Sequence, residues 1–226
     1  VATTAIAGIE MIKSGSNRLD GLPLAGVPVA GMADYKDLVF GGWDLNDDDL
    51  ASAATGHGVL TAQDIENGAQ VLKGIKPWPA VGSAKFCKNI EGANRIVAKD
   101  HREAVSVIAN DLRRFKAESN LDEVVVINLA STERWPDLSD PTLNSTAAFE
   151  KGLDSSDESI SPAMLYAYAA IKSGVPAATE ALLAAGADPT HRGPEETSAA
   201  QLALYQHNPA AAALVIAHGA DLTARE

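Results

Sequence analysis

The sequence has one cysteine, Cys87, in 226 residues. No internal disulfide can form, and a reducing, cytoplasmic setting fits. Aromatic residues make up 5% of the chain. Cations are also scarce: 18 Lys and Arg stand against 30 Asp and Glu, a formal net charge of −12. That balance excludes nucleic acid as a partner and disfavours an anionic membrane surface, since both need a basic face. No run of about eighteen apolar residues exists, so no membrane-spanning helix is expected. The start has neither a basic n-region nor an apolar h-segment, and does not read as a signal peptide. No Gly-x-x-x-x-Gly-Lys phosphate loop and no hydrolase nucleophile motif occur. His57, His101, His191, His207 and His218 show no ligand spacing with Cys or acid partners, so no metal site is expected.

What the sequence does have is organised around Val39-Phe-Gly-Gly-Trp-Asp-Leu-Asn46. The spacing predicts a buried strand, Leu38 to Phe40, running into a Gly-Gly turn with Asp44 at the strand's carboxyl end. In an open α/β sheet, ligands sit at that edge. Glycine removes side chains that block a ligand, and a carboxylate accepts hydrogen bonds from ribose hydroxyls. The alternative is that Gly41-Gly42 is only a turn and Asp44 only a helix cap. The acids Asp47 to Asp49 then start a helix carrying Leu50, Ala53 and Ala54.

Upstream, Val1 to Gly15 reads as an amphipathic helix with Ile6, Ile9 and Ile12 on one face and Gly15 closing it. No strand or glycine-rich turn precedes it here. A helix opening with small residues ahead of a strand-Gly-Gly-Trp-Asp unit is expected of a dinucleotide-binding βαβ unit without its first strand and phosphate loop. Ser16 to Ala33 is rich in Gly and Pro and reads as a loop. Further helices are expected over Asp64 to Leu72, Arg102 to Glu118, Asn144 to Leu153 and Ala163 to Lys172. The second of these has Val105, Ile108, Leu112 and Phe115 at helical spacing. Trp78 to Lys85 reads as a surface connection. Val124-Val-Val-Ile127 is short, unbroken and β-branched, as in a buried parallel strand, and Asn128-Leu-Ala-Ser-Thr132 follows at its end.

Several of these stretches, in this order, resemble the myo-inositol-phosphate synthase family over residues 1–176. The stretches are Val1-Ala-Thr-Thr4, Leu22-Pro-Leu-Ala-Gly26, Val39 to Leu45, Val124 to Arg134, and Ile160-Ser-Pro162 leading into Ala169-Ala-Ile171. The resemblance implies an α/β fold, a Rossmann-like parallel sheet with flanking helices, and NAD as cofactor. It implies a family reaction in which glucose 6-phosphate becomes inositol phosphate by oxidation, enolisation, aldol closure and re-reduction on one bound cofactor. It implies NAD contacts from Val1, Ala2 and Thr3 at the helix start, from Gly41, Gly42 and Asp44, and from Ala130, Ser131 and Thr132. Ser131 stands where the family usually has asparagine. Glu133 and Arg134 match the same motif, and a local ion pair is their simplest reading.

The resemblance stops at Gly174-Val-Pro176. The family's second region, with its tetramer-building sheet and sugar-phosphate lysines, is not in this sequence. Beyond Lys151 the only lysine is Lys172, so no catalytic residue is assigned, and a homo-oligomer is expected only of an intact protein. From about residue 165 to 226 the chain resembles ankyrin repeats. Leu-Leu-Ala-Ala-Gly-Ala-Asp188 returns as Val-Ile-Ala-His-Gly-Ala-Asp221, with 33 residues between Gly186 and Gly219, the ankyrin period. The expected organisation is therefore an NAD-binding domain over 1–176 and an all-α repeat tail over 177–226. Two functions follow: the NAD-binding portion of an inositol-phosphate synthase with a sugar-phosphate substrate, or a protein-interaction module acting through the tail.

Overall fold

The computed structural model describes residues 2–15, 33–58, 60–130 and 132–175. The expectations for Val1, for the loop over 16–32, for Ser131 and for the repeat tail over 177–226 lie outside the described residues. The chain divides into two units, Val1–Val97 and Ala98–Glu226.

In the first unit, α1 (Ala2–Lys13) buries Ile6 and Ala7 and ends before Gly15, whose φ of +73° suits glycine. Helix α2 (Leu50–His57) starts at Asp49, whose side chain accepts the Ala51 and Ser52 amides. The cap at this turn is thus Asp49 and not Asp44. Helix α3 (Ala62–Gly74) opens with a capping box, in which Thr61 and Asp64 each accept the other's backbone N–H. The apolar faces meet in one cluster of Ile6, Ala7, Ala51 and Leu72, with Phe40, Leu50, Ile65, Val71 and Ile75 against it. Leu72 is fully buried, a contribution of about 1.5–3 kcal/mol from side-chain transfer.

In the second unit, α4 (His101–Glu118) has the expected apolar stripe: Val105, Ile108 and Leu112 are buried and Phe115 is half-buried. It packs on α5 (Thr146–Ser155) and α6 (Pro162–Lys172). Ser161 caps α6 by accepting the Met164 amide, and Pro162 occupies the first turn, where its missing N–H costs nothing. Leu153, Leu165, Ala169 and Ala170 are fully buried. A short 3-10 turn, Pro141–Leu143, lies against α5 at Gly152, where an added Cβ would stand 2.5 Å from the Thr142 methyl.

The strands are where the sequence expectation is corrected. Among the described residues there is no continuous ladder. Leu38 to Phe40 runs without strand pairing, and of Val124 to Ile127 only Val126 occupies a bridge position. Among the described residues of the first unit, pairing consists of two isolated parallel bridges, Trp43 with Trp78 and Ala80 with Arg95. β-Branched composition marks a segment that fits a pleated surface, but a strand exists only where a second segment supplies the hydrogen bonds. Val124 is buried, while Val125 and Ile127 are exposed, the alternation of an extended segment packed on one side. Trp78 to Lys85 is also corrected. It is not merely a surface connection: it carries both bridges, buries Ala80, and leads into buried Phe86.

Candidate functional site

The candidate residues fall in both units and are described within each. In the first unit, Ala2 and Thr3 form the opening turn of α1; Ala2 is exposed and Thr3 half-buried. Gly41, Gly42 and Asp44 flank the Trp43 bridge. The Trp78 amide donates to the Gly42 carbonyl at 2.8 Å, and the Asp44 amide donates to the Trp78 carbonyl at 3.2 Å. The two indoles meet edge to face, with centroids 5.1 Å apart, a favourable geometry for paired aromatic quadrupoles.

A Cβ built on Gly42 meets nothing within 4 Å. The protein's own packing therefore leaves that surface open. Asp44 is exposed, and its Oδ1 accepts the Asn46 amide at 3.0 Å. The Asn46 side chain in turn accepts the Asp48 amide at 3.0 Å. The acidic run is thus a chain of Asx turns that delivers Asp49 to the start of α2. Chemically, this edge offers open backbone at Gly42 and an exposed carboxylate two residues on.

Asn94 was not singled out from the sequence, yet it ties this edge together. Its amide nitrogen donates to the Asp44 carbonyl at 2.9 Å and to the Pro77 carbonyl at 3.3 Å. Its backbone N–H donates to Leu45 at 3.1 Å, and its carbonyl accepts the Ala80 amide at 2.9 Å. Nothing local in the sequence signals these bonds, because the partners lie 14 to 50 positions away.

In the second unit, Ala130 and Thr132 are exposed on the loop after Val124 to Ile127. The Ala130 amide donates to Asn128 Oδ1 at 2.9 Å, and the Ala130 carbonyl accepts the Glu133 amide at 3.2 Å. Glu133 does more than its simplest reading implied. Its Oε2 accepts the Ala163 amide in the first turn of α6 at 3.2 Å. Burial raises its pKa above the usual carboxyl value, and the Ala163 hydrogen bond opposes that rise. The Ser161-Pro162 helix start was legible in the sequence; the acid seated on it was not.

Lys172 is engaged at the end of α6. Its ammonium lies 3.1 Å from Glu150 and over the Tyr168 ring, whose hydroxyl donates to Glu150 at 2.6 Å. The Glu150 hydrogen bond, ahead of its charge, raises the lysine's pKa. Arg102 reaches Asp154 and the Glu150 carbonyl from α4. These cations tie α6 and α4 to α5. Among the described residues no group of three or more His, Cys, Asp or Glu is arranged to hold a metal ion, and no helix is long and apolar enough to cross a membrane.

Comparison with known proteins gives these residues a context. A family model for an NAD-binding domain, described as myo-inositol-1-phosphate synthase, matches residues 5–181. Inositol-3-phosphate synthase 1 of Bacteroides thetaiotaomicron is 40% identical over 149 residues, covering 66% of this chain and 34% of that protein. Inositol-3-phosphate synthase isozyme 2 of Arabidopsis thaliana is 35% identical, covering 64% of this chain and 29% of that protein. The crystal structure of inositol-3-phosphate synthase from Caenorhabditis elegans superimposes with a TM-score of 0.60 at 25% identity, covering 66% of this chain and 30% of that one. The chain spans about a third of the length of these relatives. The motifs, the match over residues 5–181 and the superposition agree, and the chain belongs to the myo-inositol-1-phosphate synthase family, as part of its NAD-binding portion.

Proposed function

We propose that this chain binds NAD at the edge formed by Gly41, Gly42 and Asp44. Asp44 accepts the ribose hydroxyls, and the open backbone at Gly42 lets the cofactor approach. Ala2 and Thr3 at the start of α1, with Val1 before them in the sequence, are candidates for the negatively charged part of the dinucleotide, as helix N-termini suit anions. In the second unit, Ala130, Ser131 and Thr132 are the candidates for cofactor contact. The observation that carries the reading is the open surface at Gly42 beside the exposed Asp44 carboxylate. A Rossmann-like parallel sheet belongs to this reading, and the two parallel bridges support it.

The whole relatives are inositol-3-phosphate synthases by name. On this reading the chain supplies the NAD-binding portion, with no catalytic residue assigned; NAD-dependent conversion of glucose 6-phosphate and homo-oligomer assembly belong to an intact protein of the family, and a cytoplasmic setting is part of the same proposal. The test is calorimetry with NAD on the purified chain and on Asp44→Ala. One-site binding that weakens at least tenfold in the variant supports the reading; unchanged affinity rejects it.

A second reading rests on the 33-residue spacing of Gly186 and Gly219. In that reading, which rests on the sequence spacing alone, residues 177–226 are an ankyrin-like tail for a protein partner, apart from the NAD domain over 1–176. Ending the chain at Pro176 then leaves NAD affinity unchanged and abolishes partner capture. Loss of NAD binding on that truncation contradicts the division.

A further inference from the structure

We propose that Asn94 is a positioning residue for the candidate cofactor site, acting through Asp44. The inference rests on the reading that Asp44 meets the ribose. Asn94 joins three chain segments that are far apart in sequence: Gly42–Leu45, Pro77–Ala80 and its own. Both side-chain bonds run from the amide nitrogen to main-chain carbonyl oxygens, Asp44 at 2.9 Å and Pro77 at 3.3 Å. Two carbonyl acceptors require the NH₂ end there, which fixes the orientation of the amide. Its backbone then holds Leu45 on one side and Ala80 on the other, at 3.1 and 2.9 Å.

The surroundings leave that turn little freedom. A Cβ on Gly92 would lie 2.3 Å from the Leu45 carbonyl oxygen, and Gly92 has a φ of +126°. The Arg95 guanidinium donates to the Gly92 carbonyl at 3.0 Å and to the Gly82 carbonyl at 3.2 Å, pinning the loop from beyond. The Asp44 side chain, by contrast, is exposed and, among the described residues, accepts the Asn46 amide alone. Its direction is therefore set by the main chain beneath it, which Asn94 holds at the Asp44 carbonyl. Loss of a preorganised contact costs affinity without removing the contacting group.

The test uses the full chain with Asn94→Ala and the isosteric Asn94→Asp, which puts an acceptor where the two carbonyls need a donor. Two readouts are taken: NAD affinity, and hydrogen exchange of the Asn46 and Asp48 amides that report the turn. The expected result is about tenfold weaker NAD binding and at least tenfold faster exchange at those amides, with α3 exchange unchanged. A double-mutant cycle with Asp44→Ala separates positioning from a general loss of packing. If Asn94 acts through Asp44, Asn94→Ala changes affinity less than twofold in the Asp44→Ala background. Independent, multiplying effects overturn the proposal, as does unchanged exchange at Asn46. If one variant does not fold, the other carries the same two readouts. If neither folds, Asn94 is a scaffold residue and the positioning role is rejected. If the parent chain does not bind NAD, or Asp44→Ala leaves binding unchanged, the functional reading fails and exchange at Asn46 alone decides whether Asn94 orders the turn.

Discussion

Glu133 accepts the backbone amide of Ala163 at 3.2 Å, so an acid in the loop after Val124 to Ile127 sits on the first turn of α6. Burial raises the pKa of this carboxyl above 4.5. The folded state therefore disfavours the ionised form. The stability linked to Glu133 is full below pH 4.5 and is lost as pH rises through the raised value. Glu133→Gln keeps an acceptor without the charge. It is predicted to melt at or above the parent's temperature at neutral pH, with the gain vanishing below pH 4.5. Glu133→Ala leaves the Ala163 amide without its acceptor and melts lower. Thermal melts of the three proteins at neutral and acid pH check this.

His101 gives the opposite pH slope. Its Nδ1 is buried without a hydrogen-bond partner, while its backbone amide donates to Ser156 Oγ at 3.2 Å. Burial lowers its pKa below 6.5, and Asp157 and Asp100 oppose that shift. The neutral ring is favoured in the fold. This contribution is full above pH 6.5 and is lost as pH falls below it, where the unfolded chain takes up the proton first. His101→Gln is predicted to flatten the fall in melting temperature between about pH 7 and pH 5.5. An equally steep fall in the variant assigns the acid sensitivity elsewhere.

Two glycines near Asp44 predict contrasting outcomes. Gly42→Ala places a methyl where nothing lies within 4 Å, so stability stays within about 0.5 kcal/mol. If the cofactor takes the space at Gly42 as proposed, NAD affinity is predicted to fall about tenfold. Gly92→Ala forces a methyl onto the Leu45 carbonyl at a positive φ, a cost of about 2–4 kcal/mol. Chemical denaturation beside NAD titration separates the two.

In the second unit, Leu153 is fully buried. Leu153→Ala is predicted to cost about 2–5 kcal/mol, as cavity-forming core changes do. Gly152→Ala also destabilises, since its methyl would meet Thr142 at 2.5 Å. Urea midpoints measured for both variants check the packing of α5 on the Pro141–Leu143 turn.

The helices were legible in the sequence because their signals are local. Val105, Ile108 and Leu112 recur at helical spacing, and Ser161-Pro162 and Gly15 mark helix ends. The pairing around Asp44 was not legible. It depends on Trp78, Ala80 and Asn94 meeting Gly42 to Leu45 through main-chain bonds that any residue type can make. Trp78-Pro79 carries the composition of a loop, and so read as one. Val124 to Ile127 failed in the other direction: its composition suits a strand, but among the described residues only Val126 is bridged. Glu133 read as a surface acid because a helix amide 30 positions away leaves no trace in the local pattern.

The edge-to-face contact of Trp43 and Trp78 makes the candidate site visible to light. The chain has three tryptophans, and these two stand 5.1 Å apart with planes 77° apart, close enough for their transitions to couple. The resulting circular-dichroism couplet belongs to the Gly42–Asp44 edge, whereas helical ellipticity belongs to α1 through α6. Opening that edge erases the couplet and leaves the helix signal standing. The protein thus contains its own spectroscopic gauge of whether the Asp44 turn is assembled.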